Sequence, residues 1–286
     1  MCCKARRKIC HCELLRSLGQ KILVCGDDRR PARDGEGALV KSTEYEKLFQ
    51  KNTALITELA KGNLDASVPA MAAWTLRELT VHVGGVWAFV SRSVAQGSSI
   101  DPNHGVATWG MAQDNRPTTE NLAEWHSLEA QNLQKVIYSL KPDQNVWSSN
   151  LTDPTASYWM RRMCVEAAIH RWDAQSVTNS ESEIDADLAI EGIDEFLDFF
   201  IPQRIPTSFA GVGTVHFHCT DGPGEWLITR TSEGIEVDRS HAKGDVALRG
   251  AASDLLLWVW GRKNFSELET FGDTNLLEEW QAKVQI

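Results

Sequence analysis

Arg161-Arg162-Met163-Cys164-Val165-Glu166-Ala167-Ala168-Ile169-His170-Arg171-Trp172-Asp173 sets a carboxylate and an imidazole four residues apart. Four residues is one helical turn, so Glu166 and His170 share a helix face. Trp159, Met163, Ala167 and Ala174 fall on that face too, which makes it the inward one. A carboxylate in an apolar stripe is costly unless it is paired or coordinated. A second stretch, Trp74-Thr75-Leu76-Arg77-Glu78-Leu79-Thr80-Val81-His82-Val83-Gly84-Gly85, carries another histidine. Thr75 with Glu78 three residues on reads as a capping box, so a helix starts there. Leu76, Leu79, Val83, Val86 and Val90 then recur at helical spacing, and His82 lies in the same seam. Gly84 and Gly85 each weaken a helix by about 1 kcal/mol relative to Ala. They are tolerable where something approaches the backbone closely.

His82, Glu166 and His170 are therefore the candidate metal ligands. Three protein ligands leave a zinc ion one open position, and open sites are the catalytic kind. The competing readings are an internal Glu166–His170 hydrogen bond and a Glu166–Arg162 ion pair. Histidine and carboxylate also suit nickel, iron or manganese. Asp173, one turn from His170, is either the residue that orients it or a solvated charge.

Outward from these two segments, Tyr45, Leu48, Phe49, Leu55, Ile56 and Leu59 give one amphipathic helix. Leu122, Trp125, Leu128, Leu133, Val136, Ile137 and Leu140 give another. Asp153 with Pro154 is read as the cap and first turn of the Glu166 helix. Pro102–Pro117 is a loop holding His104, and His126 is read as a loop or surface residue. Four such helices predict an antiparallel bundle, an architecture that builds metal sites between facing helices. Leu188, Ile193, Phe196, Leu197 and Phe200 continue as a helix toward Pro202 and Pro206. The period then changes to two. Val215, Phe217 and Cys219 alternate with Thr214, His216 and His218, Asp221–Gly224 is turn chemistry, and Glu225–Arg230 returns. Short strands at Ile235–Val237 and Val246–Leu248 follow, then a helix over Asp254–Trp260 capped by Ser253. His216 and His218 are read as solvent-face residues, with a metal-ligating pair as the alternative. The predicted fold class is α+β, a four-helix bundle followed by a small α+β domain. The expected division is 1–41 as a disordered or spurious extension, 42–180 as the bundle, 181–211 as connecting helix and linker, and 212–286 as the C-terminal domain.

Composition sets limits on function. With 42% hydrophobic and 24% charged residues the chain is ordinary for a globular protein. No apolar run approaches the roughly 20 residues of a membrane span. A net charge of −10 disfavours nucleic acid as a partner. The first forty-one residues differ, holding five of the seven cysteines and ten Lys/Arg against five Asp/Glu. Cys10-His11-Cys12 has no second paired motif at zinc-finger spacing. Cys164 and Cys219 alone make no disulfide scaffold, so a cytoplasmic location is expected. The many tryptophans are expected mainly in the core.

The two quoted segments resemble the signature segments of the mycothiol-dependent maleylpyruvate isomerase family, one of the DinB-like metal-binding bundles. The resemblance runs from about Ser42 to Trp280. It includes Asp221-Gly222-Pro223-Gly224-Glu225-Trp226 and Leu255-Leu256-Leu257-Trp258-Val259-Trp260-Gly261-Arg262 in a sterol-carrier-like C-terminal domain. It implies zinc on His82, Glu166 and His170, and a low-molecular-weight thiol, mycothiol-like, as co-substrate. It implies an enzyme that isomerises, or transfers sulfur to, a small electrophilic substrate. Arg249 and Arg262 are candidates for binding a substrate carboxylate. A metal-dependent hydrolase and a non-catalytic metal-binding regulatory module are the alternatives. The sequence leaves the thiol, the electrophile and the oligomeric state open.

Overall fold

A reciprocal capping box closes on Thr75 and Glu78, and the helix behind it begins at the predicted place. In this computed structural model the described residues are 40–71, 73–97, 117–150, 152–204 and 211–284. The Cys10-His11-Cys12 run and His104 lie outside them. The helical half is α1 (Ser42–Leu59), α2 (Leu76–Ala95), α3 (Leu122–Ile137) and α4 (Ala156–Ser176). α2 packs along α3 and α1 along α4, with α1 also against α3, which makes the expected four-helix bundle.

Local chemistry differs from the expectation at several places: Leu128 of α3 is exposed, and Ser253 accepts from the Ile184 amide instead of capping the helix that starts at Ala252. The N-cap of α4 is Thr155, whose hydroxyl accepts from the Tyr158 amide, while Asp153 accepts from the Thr155 hydroxyl. In α1, Tyr45, Phe49 and Ile56 are buried but Leu55 is exposed, because Asn52 and Thr53 take inward places. The Asn52 side-chain oxygen accepts from Arg171 on α4, and Thr53 returns its hydroxyl to the Phe49 carbonyl. Both polar groups are thereby satisfied inside the bundle.

α4 is buried on every side, with only Ser157, Arg161 and Trp172 less than buried among its positions. Such a helix is the centre of its protein. A polar residue on it must find partners within the fold.

After α4 the chain forms α5 (Ala186–Glu195), a π-helical turn over Phe196–Phe200, and the short α6 (Ile201–Arg204). Among the described residues the second half holds five strands: β1 (Thr214–Cys219), β2 (Glu225–Thr231), β3 (Gly234–Asp238), β4 (Val246–Gly250) and β5 (Glu269–Gly272). Their order is β3-β2-β1-β4-β5, with β1 and β4 parallel and the other pairs antiparallel. Helix α7 (Ala252–Val259) follows β4, and α8 (Asn275–Lys283) ends the described chain. Neither β5 nor α8 is expected from the sequence pattern. Phe217 of β1 packs edge-on against Trp258 and Trp280, with ring centroids at 5.2 and 5.6 Å. Trp87, Trp226, Trp258 and Trp280 are among the largest fully buried side chains, the core role expected of them.

Candidate metal centre

The three candidate ligands meet. Glu166 Oε1 lies 3.3 Å from His170 Nε2 and 3.6 Å from His82 Nε2. One ligand atom from each residue falls within 4.8 Å of the others. The two imidazoles cross nearly edge to face, with centroids 5.3 Å apart, and the Trp74 ring stands 4.9 Å from His82. All three residues are buried. The glycine after the next position in α2 has its reason in the bundle. A Cβ on Gly84 would stand 2.2 Å from the Trp125 ring of α3, so the close approach is made by a neighbouring helix.

Behind Glu166 and His170 stand further polar residues. Glu166 Oε2 is taken by the Arg162 guanidinium, which also donates to Glu195 Oε2 at 3.1 Å. Arg162 further lies over the Phe200 and Trp260 rings, at 4.9 and 5.4 Å. His170 Nδ1 is 2.9 Å from Asp173 Oδ2. Asp173 in turn receives two bonds from Arg262, at 3.1 and 2.9 Å. Arg262 comes from the C-terminal half, 89 residues from its partner.

Burial and charge set the protonation of this cluster. Burial pushes His82 below the ordinary imidazole range, against the pull of Glu166. Burial acts on His170 in the same sense, but Glu166 and the Asp173 hydrogen bond more than offset it, so its pKa rises. Burial would raise Glu166, yet Arg162 and His170 hold it well below the usual carboxylate range. Asp173 is likewise held low, against burial, by Arg262 and His170.

This donor set fits a divalent cation. With Nδ1–H of His170 donated to Asp173, Nε2 faces Glu166 Oε1, and a cation that displaced the Nε2 proton would meet the lone pair there. Arg162 occupies the outer carboxylate oxygen and leaves the inner one directed at both imidazoles. The Glu166–Arg162 ion pair raised as a competing reading is thus present, but on the other oxygen.

The remaining candidates separate clearly. Asp173 bonds His170, as expected of an orienting residue. Arg262 is committed to Asp173, and Arg249 pairs with Glu269 on the surface at 2.6 Å. His126 is no surface residue. It is fully buried in α3, 2.8 Å from the Thr57 hydroxyl and accepting from Trp87 Nε1 at 3.2 Å. Its inward place was masked in the sequence by its polarity, although it stands four after Leu122 and seven before Leu133. Trp74, Glu195 and the aromatic platform under Arg162 were not foreseen as parts of the site.

Residues 45–175 match the family described as Mycothiol maleylpyruvate isomerase N-terminal domain, and residues 187–279 match MDMPI C-terminal domain. The fold is similar to two crystal structures of mycothiol-dependent maleylpyruvate isomerase, one of them a point mutant. The mutant structure aligns with a TM-score of 0.59 at 12% identity, over 81% of this chain and 93% of the other. The second aligns with a TM-score of 0.56 at 14% identity, over the same shares. At that identity the likeness concerns fold. No curated protein sequence matches the chain.

Proposed function

The chain belongs to the mycothiol maleylpyruvate isomerase family, and from that premise we propose a metal-dependent enzyme that uses a low-molecular-weight thiol, mycothiol-like, on a small electrophilic unsaturated acid. The observation that carries the reading is the convergence of His82, Glu166 and His170, with one carboxylate oxygen facing both Nε2 atoms. A divalent ion held there, zinc in this reading, supplies positive charge that lowers the pKa of a thiol bound beside it and so favours reversible addition to an electrophilic carbon. Rotation about the former double bond and loss of the thiol makes an isomerase, and retention of the thiol makes a transferase.

The chain's own residues prepare that chemistry. Asp173 keeps the His170 proton on Nδ1, so Nε2 offers its lone pair inward. Arg162 neutralises the outer half of Glu166 and fixes its rotamer. Trp74 and the surrounding apolar positions of α2 and α4 keep bulk water away, which strengthens every charge interaction inside. No cysteine of the described residues serves as nucleophile. Cys164 and Cys219 are both free and buried; burial pushes Cys164 well up and Cys219 to about 12. The thiol therefore comes from outside, and buried free thiols suit a reducing cytoplasm. No helix among the described residues is long and apolar enough to cross a membrane. In the same reading, residues 42–180 form the metal-binding bundle, 181–211 the connection and 212–286 the module that closes on the site through Arg262.

Two measurements test the proposal together. Purified protein should hold about one divalent ion per chain at this site, and His82→Ala or His170→Ala should lose most of it while the helical signal persists. Turnover of an unsaturated acid should require added low-molecular-weight thiol and survive Cys164→Ser. Turnover that proceeds equally without thiol would move the chain to the hydrolase class, and undiminished metal at this site in a His82→Ala/His170→Ala double variant would remove the site.

A further inference from the structure

The C-terminal half carries a second convergence of ligating side chains. β1 and β2 pair so that His218 stands directly across from Glu225. His216, two residues earlier, shares the same sheet face, opposite to the face where Phe217 meets Trp258 and Trp280. The connection from β3 to β4 brings His241 over this face. Around the Glu225 carboxylate stand three imidazoles: His218 Nδ1 at 2.9 Å from Oε1, His241 Nδ1 at 2.8 Å from Oε2, and His216 Nε2 at 3.5 Å from Oε2. Their ring centroids are 5.9 to 6.2 Å apart in all three pairs. One ligand atom from each of the four residues lies within 4.8 Å of the others.

A hydrogen-bonded cluster accounts for His218 and His241, each of which reaches one carboxylate oxygen. It does not account for His216. That residue is only 6% exposed, and its Nε2 is buried with no hydrogen-bond partner. An unsatisfied buried nitrogen costs on the order of 1–3 kcal/mol, and this one points at a carboxylate already engaged by two other rings. A cavity of about 330 Å³ opens beside it, bordered by His216, His241, Ala247 and Phe271. The parallel pairing of β1 with β4 sets His216 beside Ala247, whose small side chain leaves that space. Zinc ligands at about 2.0–2.2 Å in a tetrahedron stand roughly 3.4 Å apart. His241, on a loop and largely exposed, has room to turn toward that spacing.

We propose that His216, His218, Glu225 and His241 form a second binding site for a divalent transition-metal ion of the zinc, copper or nickel type. Three imidazoles and a carboxylate complete a four-coordinate shell from protein alone, the pattern of a structural site. Bound there, the ion clips the β3–β4 connection onto the β1–β2 hairpin. It is independent of the centre formed by His82, Glu166 and His170, with which it shares no residue.

Equilibrium dialysis of the full chain against zinc, with metal content read by elemental analysis, tests this. The wild type is compared with a His218→Ala/His241→Ala variant, both positions being at least partly exposed and outside the apolar core. Bound zinc should fall by one equivalent per chain in the variant, and its circular dichroism should remain that of the wild type. Should the double variant fold poorly, His241→Asn alone should weaken that equivalent at least ten-fold. Zinc stoichiometry and affinity unchanged in the folded variant would overturn the proposal. A second equivalent no tighter than zinc binds to free imidazole would overturn it equally.

Discussion

At the scale of single residues, buried polar groups carry most of the molecule's particular behaviour. His126 is the clearest case outside the candidate metal centre. It accepts from Trp87 at Nε2, so its proton sits on Nδ1 against Thr57. Burial lowers its pKa from 6.5 to about 4. Between those two values the unfolded chain binds a proton that the folded chain refuses, so stability falls as pH falls through this window. The wild type should lose up to about 3 kcal/mol between pH 6.5 and 4 relative to His126→Gln, measured by urea melts at several pH values. Parallel pH profiles of the two proteins would contradict it. Gly84 sets a second residue-scale test. Ala at an exposed helix position would gain about 1 kcal/mol. Here its Cβ meets the Trp125 ring at 2.2 Å, and overpacking costs about 1–3 kcal/mol. Gly84→Ala should therefore destabilise, and a raised midpoint in denaturant would show that Trp125 yields freely.

At the scale of elements, α2 was legible and α1 less so. The α2 signals are local: a capping box and an apolar repeat that both lie within a few residues. Thr75→Ala should remove the box and cost about 0.5–2 kcal/mol, seen as a lower melting temperature with metal content per folded chain unchanged. An unaltered melting temperature would mean that tertiary packing alone sets the start of α2. In α1, Asn52 and Thr53 face inward because Arg171 and the Phe49 carbonyl are there to meet them, and neither partner is implied by the local pattern. The cap of α4 shifted from Asp153 to Thr155 for a similar reason. Both residue types cap helices, and only the course of the chain decides which stands at the boundary. β5 and α8 escaped the reading because Glu269–Gly272 is a short, exposed edge strand and α8 buries little besides Leu277 and Trp280.

At the scale of the whole molecule, Arg262 joins the two halves. Its side chain is only 9% exposed and supplies two of the bonds to Asp173, which has no exposure at all. Arg262→Met leaves a buried carboxylate with His170 as its remaining partner. Breaking such a pair costs about 3–5 kcal/mol, and a loosened Asp173 should weaken binding of the proposed divalent ion at His170 by about 10–100-fold. Combining Arg262→Met with Asp173→Asn should recover part of the stability, because a neutral amide tolerates burial better than a lone carboxylate. Thermal melts with and without an added divalent ion, zinc in the proposed reading, separate the two effects. Equal losses in the single and double variants would show that Arg262 acts through packing instead of charge.

His82, Glu166 and His170 were legible as inward-facing ligating types because helical periodicity reports which face is buried, and periodicity is a property of the sequence alone. The α+β order of the two halves was legible for the same reason, in the change of period from 3.6 to two. Which atoms face one another was decided only by tertiary structure. Arg162 takes the outer oxygen of Glu166, Arg262 crosses 89 residues to hold Asp173, and His241 closes over His216 and His218 from a loop with no periodicity to read. Those pairings depend on loop paths and on the packing of one half against the other, which no local pattern encodes.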